Sequence, residues 1–270
     1  MPIINYYNHP IAYTVTGNGF PLVFLHGFGE DSKIWEDYLP FFSNHQLICI
    51  DLPGSGGSVP MGCSIARMAK IVRAILEKEK INQSIMIGHS MGGYVTLAYA
   101  GLYPETLKGY CLFHSHPYAD SSAKKEGRNK AIQFIQKKGL TSFLEGLVPK
   151  LFGRTFKERG TAIPGQLIDR YKKTDPAGFI YQLAAMRDRP NTRKVLSQSN
   201  VPVCFIIGKE DAAVPEQYSL NQTYLPEIAD IHILNQVGHM GMFEAKEKTQ
   251  EIIKKFIHFS LGRQVTPNSK

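Results

Sequence analysis

The chain has 270 residues, 43% of them apolar and 20% charged. That is enough to bury a sizeable core, while no apolar run approaches the ~20 residues of a membrane helix. No basic start joined to an apolar stretch marks a signal peptide, so a cytoplasmic protein without a membrane partner is expected. The net charge of +8 is spread out, without the stripes or stacking platforms of a nucleic-acid module, so no nucleic-acid partner is expected either.

In chain order, residues 3–7 and 12–16 read as an antiparallel hairpin turning near His9-Pro10, and residues 22–25 as the next strand. Residues 31–40 suit a helix capped by Asp31 or Ser32. Residues 46–50 form a strand broken by Asp51-Leu52-Pro53-Gly54. Apolar side chains at 65, 68, 69, 72, 75 and 76 make a helical stripe over residues 64–80. A strand over 84–87 precedes a helix over 91–102, and a strand over 110–113 ends in His114-Ser115-His116-Pro117. Residues 118–199 carry helical patterns, such as Ala131-Ile132-Gln133-Phe134-Ile135, and no convincing strand. Strand and helix alternate again beyond Val201, and residues 264–270 read as a loose tail. The alternation implies an α/β fold with a mostly parallel, doubly wound sheet, interrupted by a helical insertion.

The segment Ile87-Gly88-His89-Ser90-Met91-Gly92-Gly93 ends an apolar run in Gly-x-Ser-x-Gly and starts a helix. This is the form of a nucleophile elbow, a tight turn that lifts a serine hydroxyl off the end of a strand. A serine nucleophile needs a base and an orienting acid. Asp211 follows the apolar run Val203-Cys204-Phe205-Ile206-Ile207, and His239 follows the alternating run Asp230-Ile231-His232-Ile233-Leu234. The order Ser90, Asp211, His239 is the Ser, acid, His order of α/β-hydrolases. Glu210 is the rival acid and Asp120 a reserve. Residues 26–29, His-Gly-Phe-Gly, follow an early strand, so an N–H from this loop, that of Phe28, can join the N–H of Met91 as an oxyanion hole.

Taken together, His26-Gly27-Phe28-Gly29, Asp51-Leu52-Pro53-Gly54-Ser55-Gly56, Gly88-His89-Ser90-Met91-Gly92-Gly93, Gly208-x-x-Asp211 and Gly238-His239 resemble the Ser-His-Asp members of the α/β-hydrolase superfamily. The resemblance covers the N-terminal half and the C-terminal third. It implies a hydrolase core over residues 1–117 and 200–263, with residues 118–199 as a helical cap over the active site. It also implies that the spacing Gly208-x-x-Asp211-x-x-Val214-Pro215 favours Asp211 over Glu210.

The remaining histidines divide by place. His26 is expected to shape the oxyanion loop, His89 to pack under the elbow, and His232 and His258 to be structural. His114 and His116, at the end of a strand, are candidates to contact substrate, as is Phe28. Phe28, Trp35 and Met91 are candidates for an apolar pocket wall, with Trp35 more at home in the core. Cys49, Cys63, Cys111 and Cys204 are scattered without zinc-like spacing, so reduced thiols and no metal are expected.

The expected activity is hydrolysis of a small-molecule carboxylic ester or related acyl bond, without a cofactor. Ser90 forms an acyl-enzyme, His239 moves the proton, Asp211 orients the imidazole, and Phe28 and Met91 hold the oxyanion. The alternatives are a methyl esterase acting on an acyl-carrier protein, a lactonase or C–C hydrolase, and a non-enzymatic receptor on the same fold. The carrier alternative draws on a basic cluster of Lys124, Lys125, Arg128, Lys130, Lys137 and Lys138, which suits either an acidic carrier or an anionic substrate.

Overall fold

The computed structural model describes residues 1–262 of the chain. The strands are β1 (Ile3–Tyr6), β2 (His9–Thr16), β3 (Pro21–Leu25), β4 (Gln46–Ile50), β5 (Ser84–His89), β6 (Leu107–Phe113), β7 (Val203–Gly208) and β8 (Ala229–Leu234). They form one sheet in the order β1-β2-β4-β3-β5-β6-β7-β8. The β1–β2 and β2–β4 pairs are antiparallel, and every later pair is parallel. Central strands with helices on both faces lose their alternation and become wholly apolar. So β5 and β7 are buried at every position, whereas the edge strand β8 alternates.

Helix α1 (Ile65–Lys78) starts where the Ser64 side chain accepts from the Arg67 N–H, and its apolar stripe packs inward. Helix α2 (Met91–Leu102) follows β5 directly, and nine of its twelve residues are buried. Between β6 and β7 the described residues form helices only. They are α3 (Ser122–Lys138), α4 (Leu140–Leu151), α5 (Arg154–Glu158), α6 (Ile163–Tyr171), α7 (Pro176–Arg187) and α8 (Arg193–Ser197). Beyond β7 come α9 (Glu216–Leu220), α10 (Gly241–Glu244) and α11 (Lys246–Gly262). The tail expected over 264–270 lies outside the described residues.

Two local expectations are corrected. The hairpin turns at Tyr7-Asn8, which take φ of 48° and 64°. Such paired positive φ values match the twist of a two-residue hairpin, and His9 and Pro10 begin β2. Residues 31–40 do not form one helix. They split into 3-10 turns at Ser32–Trp35 and Leu39–Phe42, with Pro40 in the first positions of the second, where a missing N–H is tolerated. The Asp31 side chain still caps the first turn through the Lys33 N–H at 3.0 Å.

The parallel strands all point their C-terminal ends to one edge, where ligands of open α/β sheets bind. His26 follows β3, Asp51 follows β4, Ser90 follows β5, His114 follows β6, Asp211 follows β7 and His239 follows β8.

Candidate active site

Ser90 sits at the strand-to-helix turn with φ 49° and ψ −113°, a region non-glycine residues rarely enter. Its N–H donates to the Phe113 carbonyl at 2.9 Å, and its carbonyl accepts from Gly93 N–H at 2.9 Å and Ser115 Oγ at 2.7 Å. The flanking glycines are required by contact. A Cβ at Gly92 would stand 2.7 Å from the His26 carbonyl oxygen, and one at Gly88 would stand 2.5 Å from the Gly92 carbonyl oxygen.

His239 Nδ1 lies 2.7 Å from Asp211 Oδ2. The other carboxylate oxygen accepts from Ala213 N–H at 2.9 Å and Val214 N–H at 2.8 Å. Burial works against a charge on Asp211, but His239, His114 and the Val214 N–H outweigh it and hold the carboxyl below the ordinary aspartate range. Ser90 and His239 border the same cavity of about 440 Å³, whose wall also includes Phe28, Tyr94, Phe143 and Leu183. Helices α3, α4 and α7 of the insertion supply much of that wall.

The rival acids are occupied elsewhere. Glu210 Oε2 accepts the Arg154 N–H at 2.5 Å, at the start of α5. Asp120 pairs with Arg128 and with the buried Arg189.

Phe28 lines the cavity. The amides on either side of it are used: Gly27 N–H donates to Glu30 Oε2 at 2.6 Å and Gly29 N–H to Gln182 Oε1 at 3.2 Å. Met91 is the first residue of α2, and first-turn N–H groups have no acceptor within their own helix. The Met91 side chain and Trp35 are buried in the core and neither borders this cavity.

Neither His114 nor His116, the residues expected to contact substrate, borders this cavity. His114, at φ 51°, is buried behind the acid with Nδ1 3.5 Å from Asp211 Oδ2. Burial pushes its pKa down to about 3, with His239 and His89 adding to the effect and Asp211 opposing it. His116 lines a separate, smaller pocket against α1. Its Nδ1 accepts the Tyr118 N–H at 3.2 Å and its Nε2 faces the Tyr94 hydroxyl at 3.3 Å. Both follow β6, as the sequence suggests.

Several side chains join the loops, and of these Glu30, Glu244 and Gln182 lie in no sequence motif. His89 is wholly buried, with Nδ1 3.0 Å from Glu30 Oε2 and Nε2 2.9 Å from the His239 carbonyl. Burial opposes a charge on His89, but Glu30 and the hydrogen bonds raise its pKa, and Glu30 is lowered in turn. With an acceptor at each ring nitrogen, only the doubly protonated ring donates to both. His26, by contrast, accepts the Leu52 N–H at Nε2 and donates from Nδ1 to the Gly27 carbonyl, which shapes the 26–29 loop. Glu244 accepts from the N–H groups of Gly153, Gly238 and Met240, each at 2.9 Å. Gln182, on α7, binds the Gly29 N–H, the Pro53 carbonyl and the Ser55 hydroxyl.

Among the described residues one group of three potential metal ligands stands together, Cys204, Asp230 and His232. Cys204 and Asp230 lie near the starts of β7 and β8, and burial pushes the Cys204 thiol well above its ordinary range, which disfavours the thiolate a metal needs. All four cysteines are free, and no helix among the described residues is long and apolar enough to cross a membrane.

The chain is similar to several known proteins. It is 29% identical to the dihydrolipoyllysine-residue acetyltransferase component of an acetoin cleaving system from Pseudomonas putida, over 88% of this chain and 64% of that protein. It therefore spans less than two thirds of that relative's length. A 2-hydroxy-6-oxononadienedioate/2-hydroxy-6-oxononatrienedioate hydrolase from Burkholderia vietnamiensis is 25% identical over 92% of this chain and 90% of its own. Among solved structures, a thermophilic esterase from Thermogutta terrifontis superposes with a TM-score of 0.88 at 22% identity, covering 93% of this chain and 94% of that one. The model of the alpha/beta hydrolase family matches residues 22–251. With that match over most of its length, and with the sheet order and strand-end loops described above, the chain belongs to the alpha/beta hydrolase family.

Proposed function

We propose that this protein is a serine hydrolase that cleaves carboxylic esters, or closely related acyl bonds, of small molecules. The reading is carried by one arrangement: the His239–Asp211 pair at 2.7 Å borders the same cavity as Ser90 at its strained turn. The Ser90 hydroxyl oxygen attacks the acyl carbon while His239 takes its proton. His239 then gives that proton to the leaving alcohol as the acyl–oxygen bond breaks. Water, deprotonated by His239, attacks the acyl carbon, and His239 returns that proton to the Ser90 oxygen as the acyl–serine bond breaks and the acid is released. Asp211 holds the imidazole and stabilises its charge. The Phe28 and Met91 N–H groups receive the oxyanion, and the loss of one such donor typically costs ~3 kcal/mol in the barrier.

Relatives named lipase and similar structures named esterase and enol-lactonase support ester chemistry, and the dioate hydrolase supports the related-bond alternative. A cytoplasmic location fits the four free cysteines. The test is turnover of p-nitrophenyl esters from acetate to decanoate by the parent and by Ser90→Ala. Loss of on the order of 10⁴-fold or more is expected. A variant that keeps turnover within tenfold would remove Ser90 from the reaction.

A further inference from the structure

The cavity above Ser90 is walled mainly by apolar side chains such as Phe28, Phe143, Leu147 and Met186, yet two cations, Lys124 and Arg128, also border it. Their charge is not balanced locally. Asp120 is a single carboxylate shared by two guanidinium groups, with Arg128 Nε at 3.0 Å and Arg189 Nη1 at 2.7 Å. Lys124 stands beside this pair. Among the described residues its ammonium makes one hydrogen bond, to the Ala213 carbonyl at 3.4 Å, and lies 5.7 Å from the centre of the Tyr218 ring. An ammonium has three donors, so two are left for a ligand. The other carboxylates nearby are already committed, Glu30 to His89 and Gly27, and Asp211 to His239, Ala213 and Val214.

We propose that Lys124 and Arg128 form an anion subsite in the roof of the cavity, and that the natural substrate is an ester carrying a carboxylate away from the scissile bond. The proposal rests on the serine-hydrolase reading and adds the substrate class to it. A solvated surface lysine is the bland alternative, but this one is badly placed for that role. Lys124 is partly buried, and burial together with Arg128 and Arg189 lowers its pKa, with Asp120 opposing. It also stands in the first turn of α3, where the helix dipole disfavours a cation. A substrate carboxylate relieves both costs. The rest of the cluster is different in kind: Lys125, Lys130, Lys137 and Lys138 are exposed, and the last two sit at the C-terminal end of α3, where cations are favoured.

The carboxylate can sit on the acyl side or on the leaving group, and two pairs of substrates separate these. The first compares mono-p-nitrophenyl adipate and suberate with p-nitrophenyl hexanoate and octanoate. The second compares 4-carboxyphenyl hexanoate with phenyl hexanoate. In the parent protein one anionic series is expected to exceed its neutral partner in kcat/KM by about tenfold, mostly through KM, as a partly desolvated ion pair supplies. In Lys124→Gln that ratio should collapse toward one, and Lys124→Arg should restore most of it. No anionic preference in either series, or a preference that survives Lys124→Gln, would overturn the subsite. Ser90→Ala run on the same esters keeps the two claims apart. If it abolishes turnover while the ratio ignores Lys124, the subsite alone fails. If it retains turnover, the hydrolase reading fails.

Discussion

At the scale of single residues, the site depends on which histidines are charged. His239 and His114 both face Asp211, at 2.7 Å and 3.5 Å, but only His239 reaches the cavity. His114 is held neutral by burial, with its pKa pushed down to about 3. An unfolded histidine titrates near ~6.5. Between those values the unfolded chain binds more protons than the folded one, so this contribution to stability is present above ~6.5 and is lost as the pH falls. His116, also pushed well below its usual value by burial and by nearby Arg189, Lys124 and Arg128, adds an effect of the same sign. His114→Asn suits the positive φ of 51° and removes the larger imidazole. Thermal melts of parent and variant between pH 7 and 4.5 should show the parent losing more Tm than the variant. Equal losses would mean that His114 is not a buried neutral histidine.

At the scale of elements, adjacent acids at the end of β7 do separate jobs. Asp211 turns to His239, and Glu210 turns to the N–H of Arg154 at the start of α5. Glu210→Gln keeps an accepting oxygen and loses only the charge next to the N-terminus of a short helix, so a loss of under about 1 kcal/mol in stability and no more than a few-fold in rate is expected. Asp211→Asn keeps the hydrogen bond but favours the wrong imidazole tautomer, and the serine protease template loses on the order of 10⁴-fold from this change. Parallel urea titrations and ester kinetics of the two variants decide between them. A more damaging rate effect from Glu210→Gln would reverse the assignment of the acid.

The same strand-end loops show what was legible from sequence. Gly88, Ser90 and Gly92 were readable because a turn this tight imposes residue types at fixed local spacing. The places of Asp211 and His239 were readable because each follows a strand pattern, apolar in β7 and alternating in β8. The sheet was legible for the same reason, as period and punctuation are local. The ties between loops were not. Glu30 meets His89 across 59 positions, and Gln182 reaches Gly29 across 153, and neither Glu nor Gln at a single site marks its partner. The two 3-10 turns at Ser32–Trp35 and Leu39–Phe42 were hidden because apolar spacing alone does not separate them from one α-helix. His114 and His116 follow β6 as expected, but chain position gives the edge of the sheet and not which cavity a side chain borders.

At the scale of the whole molecule, the insertion does more than cover the site. The His239 N–H donates to the Leu151 carbonyl at 2.7 Å, and Glu244 holds both the Gly153 and Gly238 amides. The end of α4 is therefore built into the loop that carries His239, while Gln182 ties α7 to the loop that carries Phe28. The insertion and the C-terminal edge of the sheet are joined, which fixes the cavity walls relative to Ser90. Covalent labelling with a fluorophosphonate, followed by intact-mass analysis and peptide mapping, reads the reactivity of Ser90 itself. One adduct per chain is expected, on Ser90 within Ile87-Gly88-His89-Ser90-Met91, and none in Ser90→Ala. Labelling slows when Asp211 is replaced by Asn. A folded parent that takes no label, or takes it on another residue, would contradict the account.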